Sequence, residues 1–287
     1  MWCLTSYHQN CQTISNLKCP CFLFVGILML SDNVINVICA TYEAGHELEK
    51  TIKSIKGLKY DNLRVIVIDG GSKDCTKVVV EKHQDLVDVF VSERDNGISD
   101  AFNKGLKHTI PGYVYFIGAG DEFVDVNAFN TLTEFACFKT ELLLCGKVNV
   151  VCVETNQVFH TVPRSSCFQK ESLLKMMSLP HQGLLMSTVY FEKYGNFKEN
   201  CTYAMDYELL LRASHEFPSV IVKDVIVANW MSGGVGANNT PGVLAEYYRI
   251  KKENKVASNG YLWFIYMKNL SAYYVRKYGK IIIGGRA

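Results

Sequence analysis

Short apolar runs alternate with amphipathic stretches along the first half of the chain. Residues 34–40, 63–68, 87–91 and 112–117 are rich in β-branched or aromatic side chains and are bounded by Gly or polar clusters. That pattern predicts four buried strands. Between the first two, Leu48, Ile52 and Ile55 recur at helical spacing and stop near Gly57, which predicts a helix. A second helix is expected to start at Ser72, with Ser72 as N-cap, and a third to follow Asn96 and Gly97 as far as Lys107. Strands alternating with helices predict βαβ units and a largely parallel sheet, an α/β fold.

After Asp121 the pattern changes. Residues 141–153 predict one or two strands with a turn near Asn156, and 219–228 a further strand. Helical spacing marks 170–177 and 207–214, and residues 232–236 form a Gly-rich flexible loop. The expected organisation is an extension over 1–32 without clear pattern, one domain over 33–240, and a helical tail over 241–287. The nucleotide-binding half of that domain runs to about residue 122. Residues 22–30 are apolar but fall far short of the roughly 20 residues needed to span a bilayer. With only Lys18 before them and no small-residue cleavage site after, they do not read as a signal peptide. One expectation is that the functional chain starts at Met29.

Composition changes this picture in two places. The 287 residues carry a net charge of +2, which argues against a nucleic-acid partner. Residues 249–287, however, hold nine Lys or Arg and one acid, Glu253, so this segment carries +8 and the remainder −6. Seven aromatics are interleaved there, among them Tyr261, Trp263, Phe264 and Tyr278. Such a tail suits an anionic membrane surface; a packed helix pair with a solvated basic face would look the same. The eleven cysteines form no CxxC pair and no His/Cys ligand spacing. They fit reduced thiols and a cytoplasmic location.

Two apolar runs end in acids, at Asp69 and Asp121. In open α/β sheets ligands bind at the carboxyl ends of the strands. Ile68-Asp69-Gly70-Gly71-Ser72 joins a strand to a helix start, where free N–H groups favour anions. No GxGxxG follows the first strand and no GxxxxGK[ST] occurs, which disfavours a dinucleotide oxidoreductase and a P-loop enzyme. Thr41 and Glu43, after the first strand, are placed to hydrogen-bond a base or ribose; a strand-end turn uses the same residue types. Asp100 and Asn103, three apart, share a helix face, as binding residues or as a capped, solvated first turn. Asp121 could hold Mg²⁺ or Mn²⁺ or serve as an N-cap. Asp206, ahead of an apolar helical run, is an N-cap or a general base. His181 with Gln182 lines an acceptor pocket or is a satisfied structural pair.

The order of these pieces is more specific than any one of them. Val37–Glu43, Val67–Thr76, Ser92–Gly105, Tyr115–Asp121, His181-Gln182 and Met205–Arg212, in that order, resemble the family 2 glycosyltransferases, most closely the bacterial enzymes that build O-antigen, capsule or colanic acid. The resemblance covers about residues 33–236. It implies a GT-A fold, with a mostly parallel central sheet flanked by helices, a nucleotide-sugar donor, a divalent metal (Mn²⁺ or Mg²⁺) and inversion at the anomeric carbon. By position, Thr41, Glu43 and Asp69 would contact the nucleoside, Asp100 and Asn103 would line the donor site, Asp121 would hold the metal, and Asp206 would be the catalytic base. The implied acceptor is a lipid-linked or free glycan, and the enzyme would lie at the inner face of the cell membrane. Gly233 to Gly236 could close over the donor.

Three positions depart from the family pattern. The second acid of the usual Asp-Asp-Gly-Ser is Gly70, the first acid of the metal pair is Gly120, and the Glu before the base is Met205. No Gln-x-x-Arg-Trp processive signature occurs, which implies transfer of a single sugar. A sugar-nucleotide-forming nucleotidyltransferase would carry a basic phosphate loop after the first strand, and residues 41–45 have no basic residue. A glycoside hydrolase would need two facing carboxylates. A non-catalytic nucleotide- or glycan-binding module is the reading favoured if Gly70 and Gly120 mark a decayed donor site.

Overall fold

A computed structural model describes residues 33–134, 136–139, 143–234, 236 and 239–284. The expectations for the N-terminal extension, including a start at Met29, lie outside the described residues, as does part of the Gly-rich loop. The four predicted strands form as β1 (Ile35–Thr41), β2 (Leu63–Asp69), β3 (Val87–Ser92) and β4 (Tyr113–Gly118), each within a residue of its expected ends. Helices α1 (Gly45–Lys56), α2 (Thr76–Lys82) and α3 (Ile98–Leu106) connect them. Helix α2 starts four residues later than Ser72, because Ser72 holds the loop instead: its hydroxyl bonds to Asp69 and accepts from the Glu43 N–H.

These strands lie parallel in the order β3-β2-β1-β4. Parallel strands buried on both faces explain their unbroken apolar character. Alternate residues of β1 serve two cores: Ile38 packs with Phe102, Phe116 and α3, while Val37 and Cys39 pack with Leu48, Ile52 and Tyr115. Since β2 and β4 flank β1, the strand order reverses there, and the loops at the carboxyl ends of β1 and β4 diverge around a crevice.

Beyond β4 the sheet is mixed, not largely parallel. Strand β5 (Glu122–Phe123) is followed by α4 (Ala128–Thr133), β6 (Leu143–Val151) and β7 (Val158–Val162). Helix α5 (Lys170–Lys175) leads to a 3₁₀ turn at His181–Gly183, β8 (Leu184–Ser187) and α6 (Thr188–Tyr194). Helix α7 (Met205–Arg212) precedes β9 (Val220–Met231). Strand β8 runs antiparallel to both β4 and β6, β6 pairs parallel with β9, and β5 and β7 pair antiparallel at β9 and β6. The pairing is antiparallel where the chain returns through a turn, as at Asn156, whose φ is 56°. Helices α8 (Thr240–Glu253) and α9 (Asn259–Gly284) form the tail. No helix among the described residues is long and apolar enough to cross a membrane.

Candidate active site

The four loops at the carboxyl ends of β1 to β4 are bound to one another. Asp69, almost wholly buried, accepts from the Ser72 N–H at 3.1 Å and from the Ser92 hydroxyl at 2.6 Å. Its oxygens are thus engaged in fixing the β2 and β3 loops. Glu43, with φ 49°, receives the Lys73 N–H at 3.0 Å, so it joins the β1 and β2 loops. Thr41 lies beside Asp69 in register, and its buried hydroxyl has no hydrogen-bond partner among the described residues. A buried polar atom without a partner is unusual.

The third loop explains the first departure from the family pattern. A Cβ on Gly70 would lie 2.7 Å from Asp95 Oδ2 and 3.0 Å from the Tyr42 ring. The space of the missing acid is filled by the Asp95 carboxylate, which accepts from the Gly97 N–H at 3.0 Å. Asp100 accepts from the Asn96 N–H at 3.0 Å and lies 3.6 Å from Lys104, so it steadies this loop. Asn103 points elsewhere: its amide donates to the Phe197 carbonyl at 2.9 Å and accepts from the Phe197 N–H at 3.0 Å. It joins α3 to the acceptor half; both of its polar atoms are committed to that joint, away from the donor loops.

The second departure has a backbone cause. Gly120 has φ 100°, a region that disfavours any side chain, and its N–H donates to Thr51 Oγ1 at 2.9 Å. Asp121 therefore stands alone and nearly buried, accepting from the Met231 N–H at 3.0 Å and from Gln182 Nε2 at 3.2 Å. Burial holds its carboxyl above the usual carboxylate range, opposed by the Met231 N–H, His181 and Gln182. No group of three His, Cys, Asp or Glu among the described residues could hold a metal ion. One buried carboxylate with both oxygens already hydrogen-bonded does not fit an ion held by the chain's own ligands.

Asp206 sits inside the first turn of α7, where Ala204 is the N-cap, so it is not the cap itself. Its Oδ1 accepts from the Tyr207 N–H at 2.7 Å, and its Oδ2 lies 3.4 Å from His181 Nδ1. Both side chains reach a cavity of about 840 Å³ whose lining includes Phe168, Met176, Tyr203 and Trp230. The other acid of α7, Glu208, points inward and is wholly buried between Lys198 and Arg212, each at 2.8 Å. The structure thus brings Asp206, His181, Gln182 and Asp121 into one chain of contacts. Sequence reading gave no role to Asp95, the cavity aromatics or Glu246, which lies 40 residues beyond Asp206; the Glu246 contacts are long-range in sequence and leave no local pattern.

Comparison with known proteins agrees with this fold. Residues 36–194 match the family described as Glycosyl transferase family 2. An uncharacterized glycosyltransferase of Mycobacterium tuberculosis is 26% identical over 220 residues, covering 75% of this chain and 82% of that protein. The S. aureus TarS fragment 1–349, solved with UDP-GlcNAc, superposes with a TM-score of 0.62 at 14% identity over 83% of this chain and 71% of that one. A mannosyltransferase from Pyrobaculum calidifontis, solved with GDP-Man and Mn²⁺, gives 0.55 at 17% identity over 83% of this chain and 74% of that one. The fold is that of the GT-A glycosyltransferases, and with the family match spanning more than half of its length, the chain belongs to glycosyl transferase family 2 and is a glycosyltransferase.

Proposed function

We propose that the protein transfers one sugar, with inversion, from a nucleotide-sugar to a hydroxyl of a glycan acceptor. The observation that carries this reading is Asp206, the acid shared by the α7 start and the 840 Å³ cavity. Seated in that cavity, an acceptor hydroxyl gives its proton to Asp206 as its oxygen bonds to the anomeric carbon. The bond from that carbon to the diphosphate oxygen breaks, and the nucleoside diphosphate leaves. Base catalysis of this kind contributes about 10²–10⁴-fold. His181, 3.4 Å from Asp206, orients the carboxylate. The donor is read into the crevice beside Thr41 and Glu43, with Asp69, Asp95 and Asp100 shaping the loops around it. Lys73 and Arg94, exposed and without ion pairs among the described residues, meet the charge of the leaving group. A divalent ion is given no step here, because the donor set at Asp121 does not fit one.

The aromatic cavity lining suits a sugar ring, whose apolar face packs on aromatic side chains. The tail supports a lipid-linked acceptor. Tyr261, Trp263, Phe264, Tyr274, Val275 and Tyr278 of α9 are exposed, more apolar surface than a free helix face normally shows. The basic residues among them favour the anionic cytoplasmic leaflet, a location that supports a role in surface polysaccharide synthesis.

The test is Asp206→Asn, assayed by nucleoside diphosphate release with a lipid-diphosphate sugar acceptor and by calorimetry with UDP and GDP. Transfer is expected to fall by about 10² or more with nucleotide binding intact; normal turnover would refute the assignment. Absence of nucleotide binding in the parent would favour a non-catalytic module. The full chain is expected to float with anionic liposomes and a chain lacking α9 to stay behind; equal flotation of the two removes the membrane role.

A further inference from the structure

The segment that delivers Asp206 to the cavity is held by a side chain from the tail. Glu246, on α8, is 9% exposed. Its Oε2 accepts from the Thr202 N–H at 2.9 Å, and its Oε1 from the Tyr203 N–H at 2.9 Å and the Ala204 N–H at 2.8 Å. Three consecutive N–H groups thus converge on one carboxylate immediately before α7. Ala204, the N-cap, has no side chain that could do this work. The Ala204 N–H is one that the helix leaves unsatisfied, and the Thr202 and Tyr203 N–H groups lie just ahead of a terminus that carries partial positive charge, so a carboxylate there is strongly held.

Neighbouring contacts reinforce the same segment. Arg249, one turn along α8, donates to the Asn200 carbonyl at 2.9 Å, and Tyr247 stacks on Tyr207 with ring centroids 4.5 Å apart. Asn239, the N-cap of α8, donates to the Tyr203 hydroxyl at 2.7 Å. Glu246 and Asp206 both lie outside residues 36–194 that match the family.

We infer that Glu246 is a positioning residue for the base: its carboxylate fixes residues 202–204, and through them the angle at which Asp206 meets the acceptor. The inference rests on Asp206 being the base. Among the described residues, the hydrogen bonds and ion pair of Glu246 go to residues 202–204 and Arg249, and none to the β1 to β4 loops that form the donor crevice. Its loss is therefore expected to change turnover and not donor binding.

The experiment is Glu246→Gln in the full chain. The amide keeps the shape but offers one acceptor oxygen where three N–H groups converge. We expect kcat to fall by about 10- to 100-fold, as a misplaced catalytic group does, with donor Kd and donor KM within about twofold by the same reasoning. Glu246→Asp, which keeps the charge, is expected to turn over faster than Glu246→Gln. In an Asp206→Asn background the Glu246→Gln change is expected to add nothing to the loss. Parental kcat in Glu246→Gln, a matching loss of donor binding, or multiplicative losses in the double variant would each overturn the inference. If Glu246→Gln does not fold, Glu246→Asp carries the test: a lowered kcat with donor Kd unchanged supports the role, and parental kcat overturns it. Normal turnover in Asp206→Asn would instead sink the base reading, whereas an inactive Asp206→Asn beside a fully active Glu246→Gln sinks only the positioning role.

Discussion

The donor and acceptor sides of this enzyme hold their acids in opposite ways. On the donor side, Asp69, Glu43, Asp95 and Asp100 are fixed by hydrogen bonds among adjacent loops, many of them within four residues. On the acceptor side, the segment before Asp206 is fixed chiefly by one residue, Glu246, up to 44 positions away, and the wholly buried Glu208 by only Lys198 and Arg212, 10 and 4 positions away. Local bonding spreads a loop's stability over several small contributions. Bonding through one or two partners concentrates it in a few, so single losses there are expected to be large.

Glu208→Ala is the strongest way to test that contrast. It leaves Arg212, 18% exposed, without its buried partner, while Lys198, 41% exposed, can turn to solvent, so the loss is expected at or below the lower end of the roughly 3–5 kcal/mol for a broken buried pair. Urea unfolding should show that loss; a change below about 1 kcal/mol, the scale of an exposed ion pair, would break the comparison. At the joint between the two sides, Asn103→Ala removes two hydrogen bonds to Phe197 and is expected to cost about 1–3 kcal/mol, the range for unsatisfied buried groups. On the donor side, Gly70→Asp restores the family's second acid but sets it against Asp95 and Tyr42. We expect nucleotide affinity to fall about tenfold, or 1.4 kcal/mol, in calorimetry; a gain in affinity would show that the crevice still accommodates the missing acid.

The smallest effect concerns Asp121. Its carboxyl is held above the usual range near 3.8, so as pH falls the folded chain takes up a proton before the unfolded chain does. The folded state therefore gains stability on descending from that raised value towards 3.8 and has no such gain above it. Asp121→Asn, neutral throughout, should be at least as stable as the parent near neutral pH, with the difference closing as pH falls through that window. Parallel stability curves for the two proteins would contradict the burial effect.

The same contrast explains what the sequence could reveal. Strands β1 to β4 were legible because burial on both faces gives unbroken β-branched runs bounded by Gly, and their carboxyl-end acids follow directly. The mixed pairing beyond β4 was not legible, since a strand's direction depends on the path of its connection and not on its residues. Asp206 could be found by its place before an apolar helical run and by family resemblance. Its setting could not: that His181 lies 3.4 Å from it and that Glu246 binds the residues just before it both follow from tertiary packing. The bonds of Asn103 were hidden for a related reason, because a polar residue in a helix's first turns binds a backbone 94 positions away. Gly70 and Gly120 looked like losses, yet one makes room for Asp95 and the other forms a turn that a side chain would strain.

The Asn103 joint has a consequence for recombination. Its amide reads only the N–H and carbonyl of residue 197, groups that every residue but proline presents. The junction between the halves therefore takes its hydrogen bonds from backbone alone, while its packing depends on the Phe197 ring, buried against Phe102 and Phe116. Chimaeras that graft the acceptor half of a relative onto this donor half should keep this hydrogen-bonded joint with any residue but proline at that position, and should seat without a cavity only where the arriving side chain fills the space of Phe197.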